Sequence, residues 1–173
     1  MQHGIPQHVD LMHAMTYDAN GGHHSPMSLA QGAIAKATAA GLPLRQVTLG
    51  LPFYGRSTES GDWTTYEDLV QRHHPLDPAL DALPLQPGGA PPQGQAPFIG
   101  LNGRHTIAAK TALAVQQGLG GVMVWEAGQD CRLEAVRHAD GSSHGVTCPE
   151  GQSSSLLVAM RQAGSSALKD RDL

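Results

Sequence analysis

Three short apolar runs, at residues 9–17, 46–53 and 122–125, constrain this chain more than any other feature. Between them the hydrophobic pattern changes period. Ser28-Leu29-Ala30-Gln31 reads as a capping box that opens an Ala-rich helix running to Ala40, with Gly41 and Pro43 as its stop. Thr106 reads as the cap of a second helix, in which Ile107, Ala108, Thr111, Ala112 and Val115 form a stripe at helical spacing before Gly118 ends it. A third helix over residues 154–163 is expected to bury Leu156, Leu157 and Met160, leaving residues 165–173 as a flexible tail. Strands that alternate with helices in this way are parallel, and parallel strands are covered on both faces, which explains runs that are apolar almost throughout. The chain is expected to be α/β.

The stretch at 57–97 breaks this rhythm. It is rich in Pro and Gly; residues 65–71 read as a short helix, whereas 83–97 hold too many prolines and glycines for regular structure. Cys131 and Cys148 flank a Gly-Ser-Ser-His-Gly loop, and the spacing is equally compatible with a disulfide and with two buried thiols.

Composition removes several function classes. A net charge of -4, from 11 basic and 15 acidic residues, leaves no basic footprint for nucleic acid. No run reaches the length of a membrane span, and Met1-Gln2-His3-Gly4-Ile5-Pro6 lacks the basic and apolar regions of a signal peptide. Localisation stays open, because a leader could lie on a longer form of the chain. Gly118-Leu119-Gly120-Gly121 precedes a strand instead of following one, the wrong order for a dinucleotide loop. The pairs His23-His24 and His73-His74 lack metal-ligand spacing and read as solvated loop histidines. No cofactor and no metal are expected.

Each apolar run stops on aromatic and polar residues: Met15-Thr16-Tyr17-Asp18, then Gly50-Leu51-Pro52-Phe53-Tyr54-Gly55-Arg56, then Gly121-Val122-Met123-Val124-Trp125-Glu126. In this order the signatures resemble the last third of a family 18 glycoside hydrolase, the chitinase family. The resemblance covers residues 9–160 and implies strands six to eight of a (β/α)8 barrel, whose active site lies at the carboxyl ends of the strands. Residues 1–164 would be this C-terminal portion of the barrel, with the insertion at 57–97. Many members carry a compact α+β module at that insertion; the shorter, Pro-rich stretch here implies a more open groove. The chain is also shorter than the roughly 250 residues of a whole barrel. The family's Asp-x-x-Asp-x-Asp-x-Glu motif, which ends in the proton donor, is absent.

The resemblance also implies roles. In the family the substrate's own acetamido oxygen attacks the anomeric carbon, an exception to the paired-carboxylate scheme. Tyr17 and Asp18 match the pair that positions this acetamido group, and Met15 matches the apolar wall beside it. Trp125 matches the tryptophan under the sugar, where a flat ring suits the C–H face of a pyranose. Tyr54 and Arg56 match the strand-seven signature, in which Arg56 either contacts sugar hydroxyls or braces the rim. Trp63 offers a second stacking surface of lesser weight, and Glu126 reads as a rim residue in place of the missing acid.

The implied partner is chitin or an N-acetylglucosamine oligosaccharide, together with the missing barrel half, and full-length members are secreted. Three outcomes follow: a fragment of a substrate-assisted hydrolase, inactive by itself; a non-catalytic chitin-binding protein; or an unstable truncated chain, since three strands leave two sheet edges and an apolar inner face unpaired.

Overall fold

A computed structural model describes residues 4–89, 93 and 96–171. The leader reading at Met1, Gln2 and His3, part of the irregular stretch expected at 83–97, and the last two residues of the expected tail lie outside the described residues. The chain runs through β1 (Met12–Ala14), α1 (Met27–Ala39), β2 (Val47–Pro52), β3 (Tyr54–Ser57), β4 (Trp63–Thr65), α2 (Tyr66–Arg72), β5 (Ala82–Pro84) and β6 (Phe98–Gly100). It continues with α3 (Arg104–Gln116), β7 (Gly121–Trp125), β8 (Val136–Arg137), β9 (Ser143–His144) and α4 (Leu156–Arg171).

The three expected strands form one parallel sheet in the order β1-β2-β7. Met12 pairs with Val47, and Gly50 and Pro52 pair with Met123 and Trp125. The register brings all three carboxyl ends to one rim. On one face of β2, Leu49 packs against Ala30 and Ile34 of α1 and Ala114 of α3. Leu51 joins a second cluster with Phe53, Leu69, Leu101, Ile107 and Leu156. β1 is shorter than the apolar run that predicts it. As an edge strand it has one neighbour, and the ladder ends where β2 begins and where the chain turns aside at Met15.

Helix ends depart from the sequence reading. Pro26 stands at the N-cap of α1, with no side chain capping it, so the Ser28–Gln31 box is not used. Thr106 lies in the first turn of α3 instead of at its cap, Gly103. Its hydroxyl donates to Asp81 Oδ2 at 2.6 Å, while the Gly103 amide donates to Asp81 Oδ1 at 2.8 Å. A carboxylate from another segment thus satisfies this helix start, a position the positive end of the helix dipole favours. Of the expected stripe on α3, Ile107 and Thr111 are buried, joined by Lys110 and Ala114, whereas Ala108, Ala112 and Val115 are only partly buried. Asp130 serves α4 in the same way as Asp81 serves α3. Its carboxylate accepts from the amides of Leu156 and Leu157 and from the Ser155 hydroxyl. Within α4, Val158 and Ala159 are buried and Leu157 is exposed, and residues 165–171 continue the helix.

Residues 57–97 are more regular than their composition suggests. β3, β4, β5 and β6 form a four-stranded antiparallel sheet in the order β4-β3-β6-β5. Leu83 and Pro84, expected to be irregular, belong to β5 and pair with Ile99 and Phe98. Pro is tolerated there because β5 is an edge strand. Thr65 caps α2 by accepting from the Asp68 amide at 3.1 Å. The Pro- and Gly-rich stretch thus contributes β4, α2 and β5 to a small sheet completed by β3 and β6.

Cys131 and Cys148 are bonded. Next to the disulfide, the Arg132 guanidinium donates to Glu67 of α2, tying the C-terminal loop to the inserted module. No helix among the described residues is long and apolar enough to cross a membrane.

Candidate active site

Tyr17 and Asp18 follow β1 at the rim where β2 and β7 also end. The Thr16 hydroxyl donates to the Gly50 carbonyl at 2.6 Å, which docks the chain beyond β1 onto β2. Tyr17 then crosses directly over Gly50. A Cβ there would stand 2.7 Å from Tyr17 Cε1 and 2.8 Å from the Ala14 carbonyl, so only glycine admits this approach. Asp18 adopts a left-handed backbone, φ 60°, which aspartate tolerates better than most residues but which still costs on the order of 1 kcal/mol.

Three side chains converge on Asp18 Oδ1. The Tyr54 hydroxyl donates to it at 2.8 Å, the Arg56 guanidinium stands 3.6 Å away and His24 Nδ1 3.7 Å away. Arg56 is itself braced, its Nε donating to the Gly61 carbonyl at 2.9 Å. Burial, the bond to Asp18 and the nearby negative charge push the Tyr54 phenol far up, so Tyr54 remains a donor at any working pH. Burial, and secondarily Asp18, also raise Tyr17. The rings of Tyr17 and Tyr54 meet edge to face with centroids 6.2 Å apart.

A groove of about 440 Å³ lies against this cluster, lined by Asp18, Tyr54, Arg56, Gly61, Trp63, Trp125, Glu126 and Gln129. Trp125 is 55% exposed, so its ring is open to a ligand. Trp63 is brought to the same groove by the β3–β4 pairing, in which it stands opposite Arg56. The peptide between Trp125 and Glu126 is cis. Tyr17 borders the cluster through Tyr54 without lining the groove. Met15, expected as an apolar wall, does not line it either. It is 71% exposed and lies along a shallow depression beside Pro26, Leu29 and Lys36, because edge strand β1 has nothing beyond it.

The histidine pairs differ from each other. His74 is exposed, but His24, read as solvated, is 1% exposed. Its ring lies 5.0 Å from Tyr54 and 5.7 Å from His23, and neither ring nitrogen has a hydrogen-bond partner. Burial, with help from His23, lowers it to about 4 against the upward pull of Asp18, so it packs as a neutral ring. A repeated His-His gives no sequence signal separating a core ring from a solvated one. Among the described residues no group of three or more His, Cys, Asp or Glu is arranged to hold a metal ion.

The profile of the glycosyl hydrolases family 18 matches residues 3–130, which span all three signatures and the groove. The chain belongs to glycosyl hydrolase family 18. It is 28% identical over 150 residues to Chitinase C of Streptomyces lividans, covering 69% of this chain and 24% of that protein. Among solved family 18 structures, the chitinase ChiB of Flavobacterium johnsoniae shares 24% identity and a TM-score of 0.63, over 91% of this chain and 43% of that one. Catalytic domain 2 of the Ostrinia furnacalis Group II chitinase, in complex with (NAG)5, shares 15% identity and a TM-score of 0.54, over 73% and 43%. The chain spans about a quarter of the length of the curated relatives it matches. The fold is thus α/β of a family built on TIM barrels, and structural neighbours include chitooligosaccharide complexes.

Proposed function

We propose that β1, β2 and β7 act as strands six, seven and eight of a (β/α)8 barrel, and that this chain forms one wall of a groove for chitin or N-acetylglucosamine oligosaccharides. Tyr17 and Asp18 orient the acetamido group for attack on its own anomeric carbon, giving substrate-assisted retaining hydrolysis in a longer enzyme. Trp125 lies beneath the sugar, Tyr54 and Arg56 hold Asp18, and Met15 extends the apolar side next to Tyr17. The missing barrel half is the second partner.

The observation that carries this reading is the Tyr54 hydroxyl and the Arg56 guanidinium meeting on one oxygen of Asp18, beside an exposed Trp125. A carboxylate so fixed meets an amide N–H without reorganising, and positioning of this kind is worth on the order of 7–11 kcal/mol of barrier when complete.

A non-catalytic, lectin-like role is supported by a second observation. Among the described residues the carboxyl groups lining the groove belong to Asp18, already engaged by Tyr54, and Glu126, on the same strand end as Trp125. On the strand assignment proposed above, these two follow strands six and eight, whereas the family's acid is expected on strand four. The chain by itself is then expected to bind sugar weakly and to hydrolyse none, since losing a general acid costs about 10²–10⁴-fold.

Titration calorimetry of the 173-residue chain with a chitin oligomer tests both statements. Trp125→Ala is expected to weaken binding about tenfold, the worth of one stacked ring, and Tyr17→Phe by less. Equal affinities for the three proteins would remove the assigned site. Turnover that disappears in Glu126→Gln would show that the chain has its own acid.

A further inference from the structure

Lys110 lies on the buried stripe of α3 with 0% exposure, and its ammonium meets only neutral oxygens. It donates to the carbonyl and hydroxyl oxygens of Ser25, each at 2.8 Å, and to Asn102 Oδ1 at 2.7 Å. The Ser25 hydroxyl in turn donates to the Thr16 carbonyl at 2.6 Å, and the Asn102 amide donates to the Ser25 carbonyl at 2.8 Å. A buried cation without a paired carboxylate is costly, and an apolar residue would serve helix packing better. The bonds it makes must therefore accomplish something packing alone would not.

Their geometry indicates what. Thr16 and Ser25 are the two ends of the segment that carries Tyr17, Asp18 and His24, so the cluster around the ammonium closes the neck of that loop. We infer that Lys110 is a positioning residue of the candidate site: its ammonium holds Ser25, whose hydroxyl ties back to the Thr16 carbonyl, and so closes the loop at 16–25 and fixes where Tyr17 and Asp18 stand. Its consequence for sugar binding rests on the function proposed above, whereas the clamp itself does not depend on any ligand.

Burial lowers Lys110 to about 8, against a smaller upward pull from Asp81. Asp81, preceding β5, and His24, in the clamped loop, are the ionisable groups that interact with it, and His24 is neutral above its own low pKa. Among the described residues the elements packed on α3 bury no other ionisable group against it: α1 buries Ala30, Ile34 and Ala37, β2 is apolar apart from Thr48, β7 (Gly121–Trp125) carries no ionisable side chain, and α4 buries Leu156, Val158, Ala159 and Ala167. A neutral amine donates two N–H groups where the ammonium donates three, so one bond of the clamp is lost as pH rises through about 8.

Amide hydrogen exchange on the full chain, corrected for intrinsic rate, reads this directly. The reporters are Ala19 N–H, bonded to the His24 carbonyl at 2.9 Å, and Ser25 N–H, bonded to His23 Nδ1 at 3.0 Å. Between about pH 7 and 9.5 their protection is expected to fall about tenfold while amides of β2 keep theirs, because local opening is independent of global unfolding. Lys110→Met should give low protection at these two amides at every pH, with a flat profile. Asn102→Asp, which sets a carboxylate beside the ammonium, should move the loss upward by about one pH unit or more. If Lys110→Met does not fold, the wild-type and Asn102→Asp profiles still decide. A wild-type profile without the fall, a fall shared equally by β2, or an Asn102→Asp profile that does not move would overturn the inference. Loosening of the loop that leaves chitin-oligomer affinity unchanged would uphold the clamp and overturn the sugar-site reading instead.

Discussion

The two faces of the parallel sheet are built to different standards. On the helix side, Leu49 and Leu51 are wholly buried under α1, α3 and the second core cluster. On the other side, by strand alternation, stand His13, Met15, Thr48, Gly50, Met123 and Trp125. There central strand β2 stays buried at Thr48 and Gly50, but the flanking strands are open: His13, Met15 and Trp125 are exposed, His13 Nδ1 meeting the Thr48 hydroxyl at 2.7 Å and the Tyr17 hydroxyl the Met123 sulfur at 4.0 Å. Leu11 is 46% exposed at the same edge. A parallel sheet is stable when both faces are covered. Here the covered face maintains the fold, and the open face holds the residues with candidate chemistry.

The largest expected effect falls on the covered face. Leu49→Ala should cost about 2–5 kcal/mol in urea denaturation, because the rigid helices around it cannot collapse into the space. A loss no greater than that of Leu11→Ala would erase the distinction between the faces. His24 sharpens it next. Its pKa is depressed to about 4 in the folded chain and is near 6.5 when unfolded, so the unfolded state takes up the proton first. The stability it contributes is complete above about pH 6.5 and is lost as pH falls toward about 4, on the order of 3 kcal/mol in all. His24→Phe should flatten that part of the stability profile, and an unchanged slope would place the acid sensitivity elsewhere. The smallest change in stability is expected on the open face. Met15→Lys and Leu11→Lys should each shift stability by no more than about 0.5 kcal/mol. They should nevertheless reduce self-association and dye binding, since exposed edges and apolar faces promote pairing between chains. Sedimentation showing no self-association in the parent chain would contradict this.

The sequence revealed the strands and most of the groove because both depend on local pattern. Apolar runs ending in Met-x-Tyr-Asp or Gly-Val-Met-x-Trp-Glu carry their meaning within a few residues. It did not reveal features that depend on partners distant in the chain. Asp81 supplies the cap attributed to Thr106, and Asp130 does the same for α4. Nothing beside Lys110 in the sequence marks it as buried, because Ser25 and Asn102, 85 and 8 positions away, are brought around it only by the fold. The inserted sheet was obscured by composition: prolines that rule out a central strand are compatible with edge strand β5.

Phe53 alone separates β2 from β3, and it is fully buried with its amide bonded to the Trp125 carbonyl at 2.8 Å. The segment that ends the parallel sheet therefore begins the antiparallel one without a free joint between them. Tyr54 and Arg56 cannot swing away from Trp125 by bending the chain at that point. On the function proposed above, a sugar reaching this rim is expected to meet Tyr54 and Arg56 already in place, so that the cost of ordering them is met in folding and not in binding.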